Sequence, residues 1–162
     1  MTTFVIADLH FGDASTHARR RDQFASVTAM DRAIVVRWNE VVTDHDVVHV
    51  LGDVGKRQGL ELIRHLRGTK HLVAGNADDL EAVFRTGLFT SVGVARWLPG
   101  LLLTHIPVHP DQLRGKTINV HGHLHSAMIN DPRYVCVSAE QTGYVPVPLK
   151  EVAGRSSQLA LF

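Results

Sequence analysis

The sequence of 162 residues has a single cysteine, Cys136, and little net charge. One cysteine excludes an internal disulfide and fits a reducing compartment, and Cys136 lies in a predicted strand, where a small buried residue is expected. The formal net charge of +1 gives no basic field for an extended nucleic acid. No apolar run is long enough to span a bilayer, and no charged leader precedes the first predicted strand. We therefore expect a cytoplasmic protein without a membrane partner.

The composition is that of an ordinary globular domain. Hydrophobic residues make up 44% and charged residues 20% of the chain, which is long enough to bury a core. No repeat, low-complexity tract or linker divides the chain, so we expect one domain over residues 1–162. Eleven histidines are many for this length and are the compositional trace of a metal site.

Predicted strands and helices alternate in the first half of the chain, and the second half is mostly strand. Apolar, β-branched runs predict strands over residues 3–7, 47–51, 71–74, 91–95, 101–104, 117–120, 134–137 and 144–147. Apolar residues at three- and four-residue steps predict helices over 27–42 and 60–66, and a short helix follows over 78–85. Pro99-Gly100 predicts a hairpin. Two packed mixed sheets flanked by helices, an α/β fold, would satisfy this pattern.

Four short islands of metal-binding side chains follow the apolar runs, and His105 stands between the last two islands. Ligands at the ends of neighbouring strands can converge, because the sheet holds them rigidly. Two carboxylates, four imidazoles and one amide oxygen exceed the needs of one tetrahedral zinc and suit two divalent ions. The islands are Asp8-Leu9-His10, Gly52-Asp53, Gly75-Asn76 and Gly122-His123-Leu124-His125.

Each island taken alone also has a structural interpretation. Asp8 could be a helix N-cap and Gly75-Asn76 a turn. Together, with His123 and His125 two residues apart in an extended segment, the islands favour a metal site. His121, next to the last island, is a candidate partner for a ligand. Surface positions are favoured for the other histidines, which are His17, His45, His49, His65, His71 and His109.

In this order the islands resemble the calcineurin-like metallophosphoesterase family, and residues 24–39 resemble its small single-domain bacterial and phage members. The match covers most of the chain. The resemblance implies a four-layer α/β/β/α sandwich of two mixed sheets flanked by helices. It also implies a bridging role for Asp53 between two ions, the first held by Asp8, His10 and His125 and the second by Asn76, His105 and His123.

The chemistry of this ligand set favours a phosphate ester as substrate. Two divalent ions are expected, with Mn²⁺ preferred and Fe²⁺ or Zn²⁺ as alternatives. Their positive charge exceeds the negative charge of Asp8 and Asp53, so the site would attract a phosphate ester. Ions about 3.5–4 Å apart would clamp phosphoryl oxygens and lower the pKa of bound water toward about 7, and metal-bound hydroxide would attack in line. The sequence has no Gly-x-Ser-x-Gly elbow, and this route needs no protein nucleophile.

The chain departs from the family after Gly75-Asn76. The family usually has a histidine there, which protonates the leaving oxygen, and then an acidic residue; here Ala77 precedes Asp78. General-acid help is worth about 10²–10⁴ in rate. Three explanations stay open: an engineered inactive variant, a natural member whose acid comes from elsewhere, such as His17, or a scaffold. The candidate catalytic residues are Asn76, Asp78 and His17, with Ala77 at the general-acid position.

Two further positions bear on substrate contacts. Asp13 stands where related small members tend to carry histidine after Phe-Gly. The run Arg19–Arg21 lies near the first island, but a solvated face is favoured over a phosphate clamp. We expect a phosphoesterase with two metal ions that acts on phosphodiesters, either aryl or nucleotide-derived, with cyclic nucleotides among the candidates. The alternative is a catalytically weak metal-binding or protein-interaction scaffold.

Overall fold

The computed structural model describes residues 1–20 and 22–158, and of residues 155–158 only the helical backbone. Its strands form two mixed sheets, with β4-β3-β2-β1-β9 in the first and β5-β6-β7-β8 in the second. Strands β1–β4 are parallel and β9 is antiparallel to β1; β6–β8 are parallel and β5 is antiparallel to β6. The strands are β1 (Thr3–Ile6), β2 (Val47–Val50), β3 (Thr69–Val73), β4 (Ser91–Gly93), β5 (Ala95–Leu98), β6 (Leu101–Thr104), β7 (Ile118–His121), β8 (Tyr134–Cys136) and β9 (Val147–Pro148).

The longest helix packs on the outer face of the first sheet. Its N-cap is Ser26, whose hydroxyl accepts a hydrogen bond from the Ala29 amide. Met30, Ile34 and Trp38 are fully buried on one side, as the three- and four-residue spacing predicts. The helices are α1 (Ala14–Arg20), α2 (Val27–Val41), α3 (Leu80–Thr86), α4 (Ala139–Thr142) and α5 (Leu149–Gln158), with 3₁₀ turns at Leu60–His65 and Pro110–Gln112. The predicted α/β fold of two mixed sheets flanked by helices is confirmed.

Two hydrophobic cores lie on the two faces of the first sheet. Phe4 and Ile6 of β1 pack with the helices, and Val5 packs with Leu103 and Val120 between the sheets. Side chains alternate across a strand, so a strand that is buried on both faces must be continuously apolar. This is why the predicted strands appear as mostly apolar runs, which His49 interrupts in β2.

The hairpin predicted at Pro99-Gly100 is confirmed, because β5 and β6 are antiparallel partners. The predicted strand over 91–95 divides into β4 and the start of β5, which belong to different sheets. The predicted helix over 60–66 is a 3₁₀ turn, and of the predicted strand over 144–147 only Val147 lies in a strand. No described helix is long and apolar enough to cross a membrane.

Candidate metal centre

All seven predicted ligands follow the carboxyl ends of strands and come together at one edge of the two sheets. Asp8, His10 and His125 offer ligand atoms that lie within 4.8 Å of one another, and so do Asp8, Asp53 and His105. The His105 Nε2 atom also lies 2.9 Å from Asn76 Oδ1 and 3.3 Å from His123 Nδ1. Acidic and histidine side chains thus form two linked groups that could hold metal ions.

The ligand loops have an unusual backbone. Five ligand residues have positive φ angles, and among the described residues Tyr144 is the only other non-glycine residue that does. A left-handed conformation costs an L-residue about 1–2 kcal/mol, and such strain concentrates at functional sites. The five are Asp8 (φ 58°), His10 (52°), Asp53 (51°), His123 (69°) and His125 (52°).

Two glycines allow the loops to approach closely. A Cβ on Gly52, whose φ is +82°, would lie 2.5 Å from His105 Nδ1. A Cβ on Gly122 would lie 2.5 Å from Ala7 Cβ and 2.7 Å from Asp8 Oδ2. These distances are shorter than van der Waals contact, so any larger residue would displace a ligand.

Asp8 and Asp53 are each held through one carboxylate oxygen, and both carboxylates have an oxygen close to an imidazole. Asp8 Oδ2 accepts hydrogen bonds from the His123 amide (2.9 Å) and Ser138 Oγ (2.6 Å), whereas the buried Asp8 Oδ1 has no partner. Asp53 Oδ1 accepts from the Ala77 amide at 2.8 Å. Asp53 Oδ2 lies 3.6 Å from His10 Nε2, and Asp53 Oδ1 lies 3.5 Å from His105 Nε2. Asp53 therefore faces imidazoles of both groups of candidate ligands.

Three imidazoles have Nδ1 directed at an acceptor. His105 Nδ1 lies 2.8 Å from the Leu51 carbonyl oxygen and His125 Nδ1 lies 2.8 Å from Glu140 Oε1. His10 Nδ1 faces an Asp13 oxygen at 3.3 Å. Such acceptors favour the Nδ1–H tautomer, which leaves Nε2 with its lone pair directed into the site.

The resulting cluster brings acceptor atoms against acceptor atoms. The lone pair on His105 Nε2 faces the Asn76 amide oxygen, and the buried His10 Nε2 has no hydrogen-bond partner and lies 3.9 Å from the unpartnered Asp8 Oδ1. Burial lowers the pKa of His10 to about 4 and raises the pKa of Asp8. A cation between these atoms would satisfy them all, and mixed imidazole and carboxylate ligands suit Mn²⁺, Fe²⁺ or Zn²⁺. The residues present therefore fit divalent metal ions.

Glu140 and Arg20 support the site and were not predicted from the sequence. Glu140 Oε1 lies 2.8 Å from both His125 Nδ1 and Arg20 Nε, and Arg20 Nη2 donates to the Asp8 carbonyl oxygen at 2.8 Å. Burial alone would raise the pKa of Glu140, but the hydrogen bond from His125 and the charge of Arg20 lower it to about 2. Arg20 is 2% exposed, so the predicted solvated face is wrong for this residue. Arg21 lies outside the described residues.

Ala77 and Asp78 make hydrogen bonds that involve backbone amides. Asp78 accepts hydrogen bonds from the amides of Asp53 (3.1 Å), Val54 (2.8 Å) and Gly75 (2.8 Å) and so joins two ligand loops. Burial raises its pKa. A catalytic role for Asp78 stays a prediction, and Ala77 offers no side-chain proton.

Asp13 and His17 lie at the start of α1, Asp13 directly before it and His17 within it. Asp13 accepts hydrogen bonds from Ser15 and Thr16 at the first turn of α1. His17 Nε2 lies 2.9 Å from the Phe24 carbonyl oxygen, so this ring nitrogen already has an acceptor. A role for His17 as general acid also stays a prediction.

The remaining histidines divide between surface and interior. His45 and His65 are exposed, as predicted. His49 is only 3% exposed, so its predicted surface position is wrong. His49 is the β2 partner of Val5, which packs between the sheets, so its ring faces the second sheet. His121 is fully buried with Nδ1 2.8 Å from the Gly122 carbonyl oxygen, and its role as a partner of a ligand stays a prediction.

Comparisons with known proteins agree with the fold and leave the activity open. No protein-family model matches the chain. The chain is 27% identical over 158 residues to an uncharacterised protein of Methanocaldococcus jannaschii, covering 90% of this chain and 86% of that protein. A crystal structure of a protein of unknown function from Aquifex aeolicus has a TM-score of 0.72 and 20% identity, over 94% of this chain and 98% of that one. This likeness shows the fold alone.

One further structural neighbour carries a functional description. It is an uncharacterised protein of Streptococcus pneumoniae that is described as a predicted phosphoesterase. Its TM-score is 0.38 at 16% identity, over 85% of this chain and 70% of that one. That score is too low to bear on the activity of this chain, which must be argued from the site itself.

Proposed function

We propose that this chain is a phosphoesterase that requires two divalent metal ions and hydrolyses phosphodiesters. The observation that carries the proposal is the cluster of acceptor atoms at the strand ends, where Asp53 faces two groups of imidazoles. Asp8, His10 and His125 would hold one ion, and Asn76, His105 and His123 the other. The order of these residues along the chain, which resembles the calcineurin-like metallophosphoesterases, supports the same assignment.

The ligand residues supply position and charge. Bound divalent ions would contribute positive charge for the phosphoryl oxygens and lower the pKa of bound water toward about 7. Asn76 is the one exposed ligand, so its amide can also contact a substrate from the open side. His10 and His125, whose rings stack with centroids 5.2 Å apart, form one wall of the site.

The charges beside the site favour a phosphodiester over a phosphomonoester. Arg20 lies behind the ligands with its guanidinium bound to Glu140 and backbone carbonyls, and Lys56 pairs with Asp13 at 3.9 Å. These two cations already have partners, so neither is a ready clamp for a doubly charged terminal phosphate. A diester carries one negative charge and needs no such clamp.

The missing general acid sets the leaving-group preference. At position 77 the methyl group of Ala77 cannot protonate a leaving oxygen, and Asp78 is engaged with three backbone amides. A phenolate departs as its anion without help, whereas an alkoxide needs a proton. Aryl diesters and strained cyclic nucleotides are therefore the expected substrates, and simple alkyl diesters should react slowly.

A metal-dependent assay tests the proposal. The protein is stripped with a chelator, reconstituted with Mn²⁺, Fe²⁺ or Zn²⁺, and given bis(4-nitrophenyl) phosphate, 4-nitrophenyl phosphate and a dialkyl phosphate. We expect turnover that depends on added metal and follows the order aryl diester, aryl monoester, alkyl diester. A His109→Ala variant, which changes an exposed histidine, should behave like the parent. Two bound ions without hydrolysis of any ester would reject the enzyme and favour the scaffold.

A further inference from the structure

A second cleft, of about 700 Å³, opens at the end of the strands opposite the candidate metal centre. Thr3, Val47 and Leu101 line it, and these are the first residues of β1, β2 and β6, whose other ends carry metal ligands. Small-molecule sites typically enclose about 300–1,000 Å³. The cleft is therefore large enough for an organic ligand and separate from the metal centre.

Strand register brings two histidines, His49 and His71, to this cleft. Val5, His49, His71 and Ser91 are consecutive partners across β1 to β4. Val5 belongs to the core between the sheets, so His49 and His71 face the same space. Their rings lie 5.4 Å apart between centroids.

Arg96 enters the same cleft from the second sheet. Its partner in β6 is Leu103, which faces the core between the sheets, so Arg96 points toward the histidines. Within the described part of the chain Arg96 has no hydrogen bond or ion pair, and no carboxylate lines the cleft. Lys150 adds a second cation at the rim. Asp46, at the start of β2, is turned to the amide of Thr2 and to Thr43.

His49 lines the cleft and carries a buried polar atom without a partner. It is 3% exposed and its Nδ1 has no hydrogen-bond partner, whereas His71 Nδ1 is engaged by Ser91 Oγ at 2.7 Å. Burial, Arg96 and His71 lower the pKa of His49 to about 4, so the ring is neutral near pH 7. A neutral ring can donate one hydrogen bond, and a buried polar group without a partner is unfavourable.

We propose that this cleft binds a small organic anion, with its carboxylate or phosphate on Arg96 and His49 and its apolar body against Val47, Leu101 and Leu149. The unpaired guanidinium and the absence of a lining carboxylate among the described residues select an anion. The apolar walls favour a ligand with a hydrocarbon or aromatic body over a bare inorganic ion. This inference is independent of the activity proposed for the other end of the sandwich.

Binding of the anionic dye 8-anilinonaphthalene-1-sulfonate to the metal-loaded, full-length protein tests the proposal. We expect saturable binding of one dye per chain that Arg96→Gln weakens by about tenfold or more, the effect of losing a hydrogen bond to a charged group. Arg133→Gln, which changes an exposed arginine elsewhere, should bind the dye like the parent. Asp53→Asn should also bind it normally, which separates this cleft from the metal centre.

Competition identifies the class of ligand. Hexanoate or hexyl phosphate should displace the dye, and which of the two is stronger distinguishes a carboxylate ligand from a phosphate ligand. Equal displacement by hexanol would overturn the assignment of an anion site, and equal displacement by inorganic phosphate would overturn the need for an apolar body. Dye binding unchanged in Arg96→Gln would reject the site. Loss of dye binding as the protein dimerises, measured by analytical ultracentrifugation, would assign the cleft to a second copy of the chain instead.

Discussion

Two histidine clusters, one at the carboxyl ends of the strands and one within β2 and β3, differ in the charge of their neighbours. At the carboxyl ends, His10 stands beside Asp8, Asp13 and Asp53. In the cleft between the sheets, His49 stands beside Arg96 and His71. Each cluster contains a buried ring nitrogen without a hydrogen-bond partner, His10 Nε2 in one and His49 Nδ1 in the other.

The neighbours of each buried histidine, more than the ring itself, decide which class of ligand the cluster favours. Burial lowers the pKa of both His10 and His49 to about 4, so both rings are neutral near pH 7. Carboxylates around His10 favour a cation that its lone pair can bind. Arginine beside His49 favours an anion to which the ring can donate. The predictions that follow disturb one cluster at a time.

The largest effect is expected from Asp53→Asn, which removes the charge of the proposed bridge. Asparagine tolerates the left-handed backbone at this position, so the fold should persist. We expect fewer than two ions per chain by metal analysis and a fall in aryl diester turnover of more than about 10²-fold. Asp111→Asn changes an exposed carboxylate and serves as the control. Two tightly bound ions in Asp53→Asn would refute the bridging assignment.

Restoring the missing acid tests the leaving-group argument. Ala77→His should raise turnover of an alkyl diester by about 10²-fold and that of an aryl diester much less, because only the alkoxide needs a proton. Metal content should not change. An equal gain on both esters would assign the histidine to substrate binding, and no gain on either would mean that another group, such as His17, already donates the proton.

His49→Gln should reduce the pH dependence of stability. An unfolded histidine takes up a proton below about pH 6.5, whereas folded His49 does so only near its pKa of about 4, so stability falls as pH decreases between these values. Between pH 7 and pH 5 this group should cost about 2 kcal/mol, which the variant avoids. Urea unfolding in chelator measures the effect, with the exposed His45→Gln as control. If the parent and His49→Gln lose the same stability between pH 7 and pH 5, the pKa of His49 is not lowered by folding.

Glu140→Gln tests whether the contact of Glu140 with His125 contributes to metal binding. Loss of its charge weakens its hold on His125 and Arg20, so affinity for the metal should fall by about tenfold, measured by calorimetric titration. Glu61→Gln, an exposed change, should bind metal normally. Unchanged affinity in Glu140→Gln would leave Glu140 as a merely structural partner of Arg20.

The smallest effect should come from backbone strain at His123. Both His123→Gly and His123→Ala remove the ligand, but glycine accepts a φ of 69° without strain. Without metal, the glycine variant should be more stable than the alanine variant by about 1 kcal/mol in urea unfolding. His109 is exposed and has an extended backbone, so His109→Gly should not be more stable than His109→Ala. If alanine is the more stable residue at position 123, the loop is not strained.

Much of the metal centre could be predicted because its ligands are tied to local patterns. Asp8, Asp53 and His105 each follow an apolar run, and such a run forms a strand whose end is a fixed place in the fold. The strands themselves were predicted to within a few residues, except where 91–95 divides between two sheets and where 144–147 contributes only Val147 to β9. No local pattern distinguishes β4 from β5, since that division depends on which neighbouring strand each segment meets.

The sequence alone was enough to predict the α/β class and to name seven candidate ligand residues, and it has alanine rather than histidine at position 77. Only the tertiary structure decided that Arg20 is buried against Glu140 and that Arg96 faces His49 across the gap between the sheets. These partners are far apart along the chain, so their meeting depends on sheet order and register. Those are set by packing over the whole domain, whereas a ligand at the end of an apolar strand is set by its own neighbours in sequence.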